Sequence, residues 1–110
     1  MKILIGADHR GVAAARWAVE RLRALGHSCE EILPADNVPV DYPDYAWRIG
    51  RTVAAGAADL GVLICHTGIG MSIVANKVPG VRAARCVDPY EAAISRRHNH
   101  SNVLCLGERN

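Results

Sequence analysis

The sequence predicts an α/β fold, with a parallel sheet of about five strands at the centre and helices on both faces. Three observations carry this reading. Short apolar runs alternate with stretches whose apolar residues recur every three or four positions, in the order β-α-β-α-β-α-β-α-β. The runs read as nearly continuous hydrocarbon, the pattern of strands buried on both faces. Strict alternation then requires crossover connections, which lay helices over the sheet on either side.

Residues 2–7, Lys-Ile-Leu-Ile-Gly-Ala, form the first strand, and Asp8-His9-Arg10-Gly11 breaks it. From Gly11 to Leu25, Val12, Ala15, Val19 and Leu22 share one helical face, Arg16, Glu20 and Arg23 take the other, and Gly26 supplies the stop. Ser28 to Leu33 is the second strand. Pro34, Pro39 and Pro43 make residues 34–43 a loop. Asp44 to Ala57 predicts a helix with Ala46, Ile49, Val53 and Ala57 on one face. Leu60-Gly-Val-Leu-Ile-Cys65 is the clearest buried strand. The glycine-rich turn Thr67-Gly68-Ile69-Gly70 then leads into a short helix from about Met71 to Lys77. Pro79-Gly80 turns the chain into a strand over Val81 to Val87. Asp88-Pro89 reads as the N-cap and first residue of a helix reaching about Arg97. Asn102 to Leu106 closes the sheet. The arrangement is three-layered and Rossmann-like. It is expected to lack the C-terminal helix that such folds place over the last strand, leaving one face bare there.

At 110 residues, the chain is read as one domain, 1–110. Hydrophobic residues make up 50% and charged residues 22%, a globular composition rather than a disordered one. Two Trp, three Tyr and no Phe leave an aliphatic core. A net charge of +2 is too small for a nucleic-acid surface. No apolar run is long enough for a membrane span, and the start carries no secretory pattern, so a cytoplasmic location is expected. Of the four cysteines, Cys29, Cys65, Cys86 and Cys105, no two form a Cys-x-x-Cys pair, which speaks against structural zinc. A disulfide framework is not expected either. Such thiols usually act as buried small hydrophobes. Cys65 stands apart because glycines and hydroxyls follow it.

In open parallel sheets, ligands bind beyond the carboxyl ends of the strands, where the strand order reverses. Two polar clusters occupy that edge: Asp8-His9 after the first strand, and Cys65-His66-Thr67-Gly68-Ile69-Gly70-Met71-Ser72 after the third. In the second, glycines allow close backbone approach, and amides at the start of the next helix point into the turn. Such a turn favours an anion, a developing oxyanion or a thiolate. The competing reading is a tight strand-to-helix turn with no ligand. A phosphatase loop needs an Arg six positions after the Cys, and position 71 is Met. Gly6-Ala7-Asp8-His9-Arg10-Gly11 lacks the glycine spacing of a dinucleotide site. A metal held by His9, His66, Cys65 and His98 has no ligand spacing behind it. The basic cluster Arg96-Arg97-His98-Asn99-His100 ends a helix, where cations suit the helix dipole. That helix end belongs to the rim opposite Cys65. If both clusters serve one site, the simplest arrangement is a symmetric dimer with sites at the interface.

These residues resemble ribose-5-phosphate isomerase type B, in the family that also holds the galactose-6-phosphate isomerase subunits. The matching stretches are residues 6–11, Asp41-Tyr42-Pro43-Asp44-Tyr45-Ala46, residues 61–73, Ala75-Asn76-Lys77 and residues 97–107. They fall in the family's order and cover nearly the whole chain. The resemblance implies an aldose–ketose isomerase of the pentose phosphate pathway, needing no metal or other cofactor, that interconverts ribose 5-phosphate and ribulose 5-phosphate. It implies Cys65 as the base moving a proton between C2 and C1, His98 as the acid assisting ring opening, and Thr67 as its helper. The backbone of residues 66–70 is implied as the anion hole. The substrate-binding set it implies is Asp8, His9, His66, Gly68, Ile69, Gly70, Ser72, Asn99 and Arg109. The partners are a small sugar phosphate and a second copy, in a homodimer or dimer of dimers whose sites are shared.

Two departures bear on these expectations. The family usually has Gly where this chain has His66, so a side chain is expected to reshape the turn, constrain it or add an imidazole near Cys65. The family also carries phosphate-binding arginines on a helix beyond position 110, so weaker phosphate binding is expected. They keep open an isomerase of another sugar phosphate, six-carbon ones included, and a sugar-phosphate-binding module without turnover. A regulatory domain phosphorylated on Asp8 is a further alternative.

Overall fold

A computed structural model describes residues 1–35 and 38–110. Asp36 and Asn37, within the predicted loop, lie outside the described residues. Strands and helices alternate along the chain: β1 (Lys2–Ala7), α1 (Val12–Ala24), β2 (Ser28–Ile32), α2 (Tyr42–Ala54), β3 (Leu60–Cys65), α3 (Ile69–Ala75), β4 (Ala83–Arg85), α4 (Pro89–Asn99) and β5 (Val103–Gly107). The strands form one sheet in the order β2-β1-β3-β5-β4, with every pairing parallel. None of the described helices is long and apolar enough to cross a membrane.

This order decides where the helices lie. From β1 the chain steps one way to β2, then returns past β1 to β3. Right-handed crossovers in opposite directions put their helices on opposite faces. Packing agrees. Ala15 and Val19 of α1 bury against Ile3, Ile5 and Ile64. On the other face Ala46, Ile49 and Val53 of α2 and Met71 and Ala75 of α3 bury against Leu4, Leu63 and Cys105. The α4 helix shares the α1 face. Between these two helices an apolar cleft of about 240 Å³ lies open over the sheet, floored by Ile3, Leu60, Val62 and Leu104.

The element order matches the sequence reading, and several boundaries move for identifiable reasons. Pro43 does not break the chain. It sits in the first turn of α2, where a missing N–H leaves no helical bond unmade, so α2 begins at Tyr42 rather than Asp44. The helix stops at Ala54, so Ala57 is exposed and Ala58 enters the core instead. The α3 helix covers Ile69–Ala75 rather than 71–77, because the Asn76 side chain leaves the helical register to donate to Ala83 O and accept from Ala83 N. Those two bonds also hold β4, an edge strand of only three residues where seven were expected. The expected cap of α4 is present. Asp88 accepts from Glu91 N at 2.7 Å, satisfying one helix-start amide, and the Glu91 side chain accepts from Val87 N, just before the cap, at 2.8 Å.

Leu63 is fully buried in the middle of the sheet, between β1 and β5. Leu63→Ala is expected to destabilise the protein by about 2–5 kcal/mol, as buried leucines do when a cavity replaces them. Urea unfolding should show a lower midpoint with an unchanged slope.

Candidate active site

The reversal of strand order between β1 and β3 separates the loops that leave their carboxyl ends, opening a crevice there. Asp8 leaves β1 and Cys65 ends β3 at that rim, with Ala7 paired to Ile64. Asp8 is buried. Its amide donates to Ile64 O, and its carboxylate Oδ1 accepts the Arg10 amide at 3.0 Å. His9 is exposed beside it. Its Nδ1 accepts from Val40 N at 3.2 Å, so a neutral ring carries its proton on Nε2 and offers a donor outward.

Cys65 is only 6% exposed, yet its sulfur is turned to the loop, where Gly68 N donates to Sγ at 3.2 Å. The backbone can make this approach because Gly68 adopts φ +82°, and a Cβ there would stand 2.9 Å from the Leu106 carbonyl carbon. The amides that follow are shared out. Ile69 N donates to Thr67 Oγ1 at 3.1 Å, and Ser72 N donates to Gly68 O. Among the described residues, the amides of Gly70 and Met71 have no such acceptor. Tyr42 closes the outer side, its ring so close to Gly70 that a Cβ would fall 2.6 Å from it. Arg85, at the end of β4, donates from Nε to Thr67 O at 3.1 Å and braces the turn from outside. A thiol and several fixed N–H donors thus converge on one small region, an arrangement suited to a reaction that develops negative charge.

The four cysteines are all free, and their surroundings differ. Burial pushes the Cys105 thiol up to about 12, with Cys65 and Cys86 adding to the shift. Burial also raises Cys86, partly offset by a hydrogen bond with Ser95. Neither is suited to act as a base, whereas Cys65 meets the turn.

The structure brings Asp8, His9, Cys65, Thr67, Gly68, Ile69, Gly70 and Ser72 to one rim, and Arg109 joins them there through its amide, which donates to His66 O. The Ser72 hydroxyl donates to Ile69 O at 2.7 Å and stiffens the turn. The His66 side chain meets residues that follow β5 and β1: Nδ1 lies 2.6 Å from Glu108 Oε1 and 3.2 Å from Arg10 Nη1. His98 and Asn99 are not brought to Cys65 within one chain. Asn99 O accepts from Arg82, at the start of β4, whereas Arg85 at its other end reaches the turn. Tyr42, Arg85, Arg10 and Glu108 were missed as parts of the site. Tyr42 and Arg10 lie in stretches 41–46 and 6–11 that resemble the family, without a role assigned there, and nothing in the local sequence marks Arg85 or Glu108.

The ribose/galactose isomerase family matches residues 3–110, and the chain belongs to that family. Ribose-5-phosphate isomerase B of Escherichia coli is 43% identical over 108 residues, covering 98% of this chain and 72% of that protein. Among solved structures, ribose-5-phosphate isomerase B of Clostridium thermocellum superposes with a TM-score of 0.96 at 46% identity, over 99% of this chain and 74% of that one. The type B ribose 5-phosphate isomerase of Trypanosoma brucei gives 0.95 at 51% identity, over 99% and 74%. The chain thus spans about three-quarters of the length of these relatives. It is an enzyme, an isomerase of this family.

Because the Cys105 thiol sits at about 12, its thiolate is scarce until the pH approaches that value. Alkylation by iodoacetamide at pH 7–9, followed by peptide mapping, should leave Cys105 unmodified in the folded protein. It should become reactive only on unfolding or above about pH 11.

Proposed function

We propose that this chain interconverts ribose 5-phosphate and ribulose 5-phosphate through an enediolate, with Cys65 as the base. The observation that carries this is the Gly68 amide aimed at Cys65 Sγ in the crevice between β1 and β3. The sulfur takes the proton from C2 of the open aldose. The C–H electron pair becomes the C1–C2 double bond, and the carbonyl electrons move onto O1. Within the anion hole of residues 66–70, the Gly70 amide, which has no acceptor of its own among the described residues, meets that charge as it forms, and the Met71 amide adjoins it. A proton passes from O2 to O1, and the thiol returns its own proton to C1 to give the ketose. Asp8 and His9 hold substrate oxygens, Thr67 assists at the ring oxygen, and Arg109 meets the phosphate. The six-carbon alternative differs only in what the outer end of the crevice must hold.

Cys65→Ala is expected to lower turnover by at least about a thousandfold and to stop loss of the C2 proton to deuterated solvent. Exchange at the normal rate in that variant would remove Cys65 as the base. Calorimetry with ribose 5-phosphate beside a coupled isomerase assay tests the enzyme reading itself, since binding without product would favour a binding module.

We further propose that His98 and Asn99 act in the site of a second copy, within a homodimer or dimer of dimers, and that the protein works in the cytoplasm on a soluble sugar phosphate. Their position at the far rim supports sharing, as do Tyr42, Ile69 and Ile73, large apolar residues exposed around the turn. Cys65→Ala and His98→Ala proteins, each nearly inactive, should regain up to about a quarter of wild-type activity when unfolded and refolded together, because half the dimers then hold one intact site. Absence of recovery, or a fully active particle of 11.8 kDa in sedimentation, would contradict shared sites.

A further inference from the structure

We propose that His66, locked to Glu108 beside Arg10, is a positioning residue that holds the catalytic turn and the Asp8 loop in one fixed relation. The inference deepens the isomerase reading and rests on it for the kinetic part of its test.

Successive residues leaving a strand point to opposite sides. Cys65 packs with the α2 and α3 core, so His66 turns to the α1 side, where Leu106 also packs and Glu108 follows it two residues later. There Nδ1 cannot both donate to the carboxylate and accept from the guanidinium. At 2.6 Å from Oε1 it donates, and this fixes the ring. Arg10 then stands beside the pair as a cation, its Nη1 3.2 Å from His66 Nδ1. It keeps a lone acidic charge from standing unbalanced at the mouth of a site for an anion.

The backbone repeats the connection. Glu108 N donates to Cys65 O at 2.9 Å, and Arg109 N donates to His66 O at 3.4 Å. The ring contact therefore closes a cycle already begun by the main chain, tying the residues after β5 to the first residue of the turn. The Asp8 loop joins through the main chain, because Asp8 N donates to Ile64 O and Arg10 N donates to Asp8 Oδ1. Three rim segments, 8–10, 65–66 and 108–109, become one unit, with the base on one and a substrate-binding carboxylate on another. The side chains are 47% and 31% exposed, so the pair adds little to overall stability. Its effect is on placement, and small displacements of reacting groups cost rate steeply.

The test uses the full chain. His66→Ala and Glu108→Ala should each lower kcat about tenfold or more with KM changed less than about threefold and the melting temperature nearly unchanged. The double variant should be no slower than the worse single one. His66→Asn, whose side-chain amide can present a donor near the Nδ1 position, should recover most of the rate. The rate of Cys65 alkylation, read by peptide mapping against Cys29 as internal reference, should rise at least about threefold in His66→Ala as the sulfur is released from the turn. Losses that multiply in the double variant, or failure of His66→Asn to restore rate, would overturn the proposal. So would an unchanged kcat together with unchanged Cys65 reactivity. If the wild-type protein isomerises no sugar phosphate while Cys65 reactivity still follows His66, the isomerase reading fails and the positioning role stands.

Discussion

The structure turns on one constraint: the chain must step away from β1 to make β2 and come back past it to make β3. That reversal parts the loops at one edge of the sheet and leaves a crevice with backbone amides at its walls. Everything chemical follows from what the two central strands deliver there. β1 delivers a buried carboxylate. β3 delivers a sulfur, and the glycine turn after it bends far enough back for an amide to reach that sulfur. What separates this thiol from Cys105, buried in the same core cluster, is the Gly68 amide that reaches it; Cys105 on β5 is packed in hydrocarbon and is pushed up to about 12.

Much of this was legible in the sequence, because the relevant signals are local. Six-residue apolar runs have few other ways to be buried, and Asp88-Pro89 capped a helix as its chemistry demands. The rim positions of Asp8 and Cys65 followed from strand direction alone. Boundaries failed where a residue has two opposite uses. Pro43 ends structure inside an element yet starts a helix well, and Asn76 continues a helix or ends it according to what lies across from it. The long-range parts of the site were illegible for a different reason. Arg85 bracing Thr67, and Arg10 and Glu108 meeting His66, join residues 18, 56 and 42 positions apart. No periodicity or spacing encodes such meetings; the sheet order does.

His66 follows the sulfur-bearing Cys65 directly along the chain. A side chain beside a reacting sulfur invites the thought of a second acid or base. Strand geometry sends it the other way, to a carboxylate on β5's extension. The turn's shape therefore depends on residues from three strands: Arg85 on β4 and Glu108 and Arg109 after β5 bond to residues 65–67 at the end of β3.

The open cleft between α1 and α4 has a thermodynamic consequence. Hydrocarbon that already touches water in the native state contributes nothing new when the chain unfolds. The walls of the cleft therefore add less to the heat-capacity increment of unfolding than hydrocarbon buried elsewhere in the sheet.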